Sequence, residues 1–153
     1  MPEAANLGLV RPPLVYLGSI ALGVILHFGR PVSLLPRGTS PLFGVAVVLL
    51  AIGLFLSAAR SFRAAGTPVP GNLPTTTIVC TGPFRFSRNP IYLAFSLLQL
   101  GIALWMNSLW LVLTLLVAVA VMSLVVIPRE ERYLEARFPS EYSAYKASVR
   151  RWL

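Results

Sequence analysis

The chain has 153 residues, of which 56% are hydrophobic and 12% charged, with a formal net charge of +8. Soluble domains carry about twice that charged fraction, and a mean hydropathy of +0.76 accompanies apolar runs long enough to cross a bilayer. A soluble enzyme is excluded, and so is a nucleic-acid stripe: Lys and Arg are scattered over loops, where anionic lipid head groups account for their excess better.

The titratable inventory is thin. There is one His (His27), one Cys (Cys80) and no Asp. A Ser-His-Asp triad cannot be assembled, a Cys/His zinc site lacks ligands, and an intrachain disulfide is impossible. No metal is therefore expected. Chemistry must rest on Arg, Glu, Tyr, Asn and backbone groups, or on a cofactor that brings its own reactivity.

In chain order, a weakly polar stretch with Glu3 and Arg11 precedes a first apolar span at roughly 13–28. It resembles a signal peptide in position only, because no small-residue cleavage site follows Phe28. His27, near its end, reads as an interfacial residue. A loop with three prolines, Arg30 and Arg37 leads to a second span at roughly 42–59, ending at Arg60 and Arg63, which can snorkel to head groups. The loop 60–90 holds Pro68, Pro70, Pro74, Pro83 and Pro90 with Gly66, Gly71 and Gly82, so a regular helix is not expected there. A linker this long between spans is more often functional than idle. Thr75 to Val79 reads as a short extended segment within it.

The stretch TGPFRFSRNPIY, Thr81 to Tyr92, places Arg85 and Arg88 at the mouth of a third span at roughly 91–106. Asn89 is a candidate N-cap and Pro90 suits the first helical position. Asn107-Ser108 makes a tight turn into a fourth span at roughly 109–127. Pro128 is expected to interrupt that span, with PREERYLEARF resuming as an amphipathic interfacial helix. A further helix, N-capped by Ser140, runs to the end, where Arg150, Arg151 and Trp152 read as an interface anchor. The fold class is thus all-α: a polytopic membrane bundle of about four transmembrane helices in a single domain, with an amphipathic helical tail over 128–153. One side of it carries Arg11, Arg60, Arg63, Arg85, Arg88 and the basic residues of the tail; the other carries only Arg30 and Arg37. The positive-inside rule then puts both termini and the long loop in the cytoplasm.

The third and fourth spans form a hairpin, which returns Arg88, Asn89 and Tyr92 to the neighbourhood of Arg129 and Glu130. Taken singly these residues fit plainer roles: head-group anchors, a helix cap, an aromatic belt, a solvated first turn. Their conjunction points to one polar site at the membrane surface.

The string GPFRFSRNPIY, preceded by TTTIV and followed by REERYL and FPSEYSAYKASVRRW, resembles the isoprenylcysteine carboxyl methyltransferase and phospholipid methyltransferase superfamily over roughly residues 66–153. These are integral membrane enzymes that use S-adenosylmethionine and release S-adenosylhomocysteine. The resemblance implies a cofactor pocket at the cytoplasmic end of the hairpin, contacted by Thr76, Ile78, Val79, Phe84, Asn89, Pro90, Ile91, Tyr92 and Glu130. Beside the resemblance, the chemistry of a guanidinium makes Arg88 or Arg129 the candidate to orient an anionic acceptor that enters from the bilayer, with Arg88 the candidate catalytic residue and Arg129 a candidate acceptor contact. Two positions depart from the eukaryotic pattern: Asn89 stands for the usual His and Phe84 for Tyr. Asn cannot titrate, so a base role at this position has no support. Methyl transfer from a sulfonium agrees with the inventory, since it needs positioning and no triad. The acceptor stays open among a prenylcysteine, a phospholipid amine, a small thiol and an isoprenoid acid. Two other functions stand beside this one: a membrane reductase related to the sterol reductases and using NADPH, and a non-catalytic lipid-binding scaffold.

Overall fold

A computed structural model of the chain describes residues 10–36, 38–39, 41–69 and 73–153. Glu3, Arg37, Ser40, Pro70 and Gly71 lie outside them. The described residues form α-helices joined by turns, with no strand among them. Helix α1 spans Pro12–Gly29, α2 Leu42–Ala64, α3 Pro90–Trp105, α4 Leu109–Val121, α5 Ile127–Arg137 and α6 Pro139–Ser148. A 3₁₀ turn, Gly82–Arg85, precedes α3, and a single π-helical turn, Met122–Val126, joins α4 to α5. All-helical architecture is what internally satisfied backbone in lipid demands.

Three continuous helices are long and apolar enough to cross a membrane: Pro12–Gly29, Leu42–Ala64 and Leu109–Arg137; Pro90–Trp105 is apolar but shorter. At 1.5 Å per residue the 29-residue helix Leu109–Arg137 is about 43 Å long, well beyond the ~30 Å hydrocarbon core. Its last turns therefore carry Glu130 and Glu131 out to the surface. Pro128 does not interrupt it, contrary to the expectation from sequence. Proline lacks an N–H and crowds the carbonyl four residues back. The π turn supplies a widened stretch directly before it, in which the Ile127 N–H reaches back to the Met122 carbonyl.

The bundle is built from two antiparallel contacts. Helix α2 packs mainly on α3, and α1 on α4. Small residues permit the first: a Cβ on Gly44 would lie 2.4 Å from the Trp105 nitrogen, and one on Gly101 would lie 2.8 Å from the Val48 nitrogen. A polar seam runs through the apolar interior. Gln99, fully buried, donates to Ser19 Oγ at 2.7 Å and to the Leu111 carbonyl at 3.1 Å. The Tyr16 hydroxyl lies 2.8 Å from Ser96 Oγ. In this seam Tyr16 and Gln99 find partners on neighbouring helices, which ties the helices together where lipid offers no alternative. At the far end, Asn107 adopts φ +49° and accepts the Leu34 and Leu35 N–H groups at 3.0 and 2.7 Å, fixing the loop between α1 and α2.

Three further expectations are corrected. Asn89 precedes α3 as its N-cap residue but makes no side-chain cap; its Nδ2 donates instead to the Arg151 carbonyl at 3.0 Å. Phe138, not Ser140, is the N-cap residue of α6. Nor does that helix run on: it ends at Ser148, and residues 149–153 return across the bundle. Arg151 and Trp152 therefore bind protein, Glu131 and Ser123 respectively, rather than standing free as an anchor.

Candidate functional site

The starts of α1 and α3 and the ends of α2 and α4 meet at one end of the bundle. Into this end fold the 3₁₀ turn, the Thr75–Val79 segment, α5 and α6. Together they enclose a cavity of about 250 Å³, just below the ~300–1,000 Å³ common for small-molecule sites.

The Gly-Pro turn builds one wall. Gly82 has φ +58°, and a Cβ there would meet Ser61 Oγ at 2.4 Å, so glycine is required both by backbone and by space. The turn seats Phe84, 6% exposed, edge-on to Phe62 with ring centroids 5.0 Å apart. Tyr145 of α6 locks the turn from behind, its hydroxyl donating to the Phe84 carbonyl at 2.7 Å. The Thr75–Val79 segment is held by Arg137, whose Nε donates to the Thr75 carbonyl at 2.7 Å. Ile78 and Val79 then face the cavity.

The opposite wall carries the charges. Adjacent residues on a helix point about 100° apart, yet Glu130 and Glu131 are both buried and both line the cavity. They have different partners. The Tyr92 hydroxyl donates to Glu130 Oε1. Glu131 takes Arg88 Nη1 on Oε1 at 3.0 Å, and takes Arg151 on both oxygens, Nε at 3.0 Å and Nη2 at 2.7 Å. Arg88 Nη1 also donates to the Tyr142 hydroxyl at 3.4 Å. Arg88 Nε is buried with no partner among the described residues. Burial pushes the hydroxyls of Tyr142 and Tyr145 above the usual tyrosine range, so both remain neutral donors at neutral pH. The hydrogen bond to Glu131 raises Arg151 further, keeping its charge fixed. Apolar lining from the helices of the bundle completes it: Pro12, Pro13, Phe55 and Phe95.

Of the residues singled out in the sequence, Ile78, Val79, Phe84, Arg88, Asn89, Pro90, Ile91, Tyr92 and Glu130 line this cavity. Thr76 and Arg129 are exposed and are absent from its lining. Sequence reasoning missed Glu131, Tyr142 and Tyr145. The last two had a signal, since residues three apart share a helix face. Glu131 had none beyond its neighbour.

The donor set suits a ligand that carries hydroxyl or amino groups beside an uncharged ring: Glu130 faces the cavity, Arg88 Nε is left without a partner, and the aromatic and aliphatic faces are buried.

A family model described as phospholipid methyltransferase matches residues 39–141. A Haemophilus influenzae protein, described as uncharacterized, is 40% identical over 63 residues, which is 41% of this chain and 100% of that protein. No solved structure matches.

Proposed function

Since the chain belongs to the phospholipid methyltransferase family, we propose that it is an integral membrane enzyme that moves a methyl group from S-adenosylmethionine to a lipophilic acceptor. The observation that supports this most is the composition of the cavity. Two buried carboxylates and a guanidinium share one wall, while much of the rest is aromatic or aliphatic, including Phe55 and Phe95 from the spans.

When bound, S-adenosylmethionine supplies an electrophilic methyl on a sulfonium. The chain supplies position. Glu130, oriented by the Tyr92 hydroxyl, keeps its second oxygen for a hydroxyl or amino group of the cofactor. Phe84, Phe62, Ile78 and Val79 exclude water from its apolar parts. Arg88 turns its unpartnered Nε toward an anionic group of the acceptor, a contact suited to a planar guanidinium. Asn89 acts as a spacer, since it cannot titrate and its amide is engaged by the Arg151 carbonyl. Pro12, Pro13, Phe55 and Phe95 offer the acceptor's hydrocarbon an apolar approach from the bilayer. Holding reactants in line in this way removes much of the barrier. The arginine asymmetry supports a site on the cytoplasmic side, where the cofactor is dissolved.

The test is transfer of label from S-adenosyl-[methyl-³H]methionine in bacterial membranes containing the protein. Label in a lipid-soluble product is expected. Label in no lipid-soluble fraction, above membranes without the protein, would refute the proposal.

A further inference from the structure

The segment after α6 does more than cap the bundle. Four contacts bind it, and all reach the same small group of residues. The Arg88 N–H donates to the Arg150 carbonyl at 2.9 Å. Asn89 Nδ2 donates to the Arg151 carbonyl at 3.0 Å. Arg151 forks onto both oxygens of Glu131, and Trp152 Nε1 donates to Ser123 Oγ at 3.2 Å, in the π turn. The segment therefore crosses from the start of α3 to the middle of the long fourth helix, beside the charged wall.

The fork has a chemical consequence. Glu131 carries one negative charge and meets two guanidiniums. Left with Arg88 alone, its two oxygens would favour a bidentate pair and draw in the N–H groups of Arg88. With Arg151 occupying both oxygens, Arg88 keeps a single contact to Glu131, Nη1 to Oε1 at 3.0 Å; the same nitrogen donates to the Tyr142 hydroxyl, and Nε stays unpartnered. We infer that Arg151 is a positioning residue: acting through Glu131, it holds the Arg88 guanidinium in the orientation that leaves an N–H for the acceptor. Residues 149–153 are the strap that carries it. The inference rests on the reading of Arg88 given under Proposed function, and it extends the site to a residue that does not line the cavity.

Two measurements on the full-length protein in nanodiscs of phosphatidylethanolamine and phosphatidylglycerol test it. The first is amide hydrogen exchange at Arg88, whose N–H is bonded to the strap. Arg151→Gln should speed exchange there about tenfold, the equivalent of ~1.4 kcal/mol, with α2 unchanged. Arg151→Lys, which keeps charge without the fork, should fall between. Exchange at wild-type rate in Arg151→Gln overturns the strap. The second is single-turnover transfer of labelled methyl beside S-adenosylhomocysteine affinity. Arg151→Gln should slow transfer about tenfold while affinity stays within about twofold, and Glu131→Gln/Arg151→Gln should be no slower than Glu131→Gln alone, because residues acting through one another are not additive. Additive losses, or a lowered Tm with an unchanged rate, reduce Arg151 to a structural role. A wild-type protein that binds S-adenosylhomocysteine but transfers no label excludes these two lipids as acceptors, one that does not bind it refutes the functional reading, and in either case the exchange data decide the strap alone.

Discussion

Arg88→Lys separates a catalytic arginine from a membrane anchor. Lysine keeps the positive charge and can still snorkel. The backbone bond from residue 88 to the Arg150 carbonyl is independent of the side chain. One ammonium can also replace the single 3.0 Å contact to Glu131 Oε1, so the buried carboxylate is not left unpaired. The fold should therefore survive, with Tm close to wild type. What lysine cannot supply is a second N–H beside the one that Glu131 takes. The guanidinium has Nε free, and a hydrogen bond from a charged donor is worth roughly 1.5–3 kcal/mol. If that bond forms only on the way to the transition state, its loss slows transfer roughly tenfold to a hundredfold. S-adenosylhomocysteine affinity should change little. The assay is single-turnover methyl transfer in nanodiscs, with binding measured on the same preparations. Transfer at the wild-type rate would refute the role and leave Arg88 an anchor.

Two further outcomes follow from the fold. Reporter fusions at Thr39 and at Leu153 should report opposite sides of the membrane, because three apolar helices, α2, α3 and α4, separate them; both on one side would remove the topology. Gly44→Ala should lower stability by roughly 1–3 kcal/mol by overpacking, since its Cβ would fall 2.4 Å from the Trp105 nitrogen and 2.7 Å from the Gly101 carbonyl; an unchanged thermal denaturation midpoint would show that α2 and α3 are free to separate.

Much of this architecture was legible because bilayers impose it. Apolar run length sets helix length, so the starts of the four apolar helices were readable to within a residue, whereas the second runs on to Ala64 and the fourth to Arg137, past their expected ends. The wall from Ile78 to Tyr92 was also readable, being local: a Gly-Pro turn and an Asn-Pro helix start fix where Phe84, Arg88 and Tyr92 lie. The continuity across Pro128 was not readable, because it depends on a π turn, Met122–Val126, whose residues do not distinguish it from the α-helix around it. Nor was the division of labour between Glu130 and Glu131, two adjacent carboxylates whose partners lie 38 residues away at Tyr92 and 20 away at Arg151. The strap was hidden for a further reason: two of its contacts use the carbonyls of Arg150 and Arg151, groups that every residue has. The side chains of Arg151 and Trp152 looked like an anchor, and the fold gave them protein partners.

If the cavity takes S-adenosylmethionine through Glu130, calorimetric titration of the purified protein with S-adenosylhomocysteine should show saturable binding to wild type and to Lys146→Ala, since Lys146 pairs with Glu135 at the surface. Binding should weaken about tenfold or more in Glu130→Ala, the loss expected for a charge-assisted hydrogen bond, with Glu130→Gln intermediate and no uptake of NADPH. Equal affinity for wild type and Glu130→Ala, or saturable NADPH binding in place of S-adenosylhomocysteine, would contradict it.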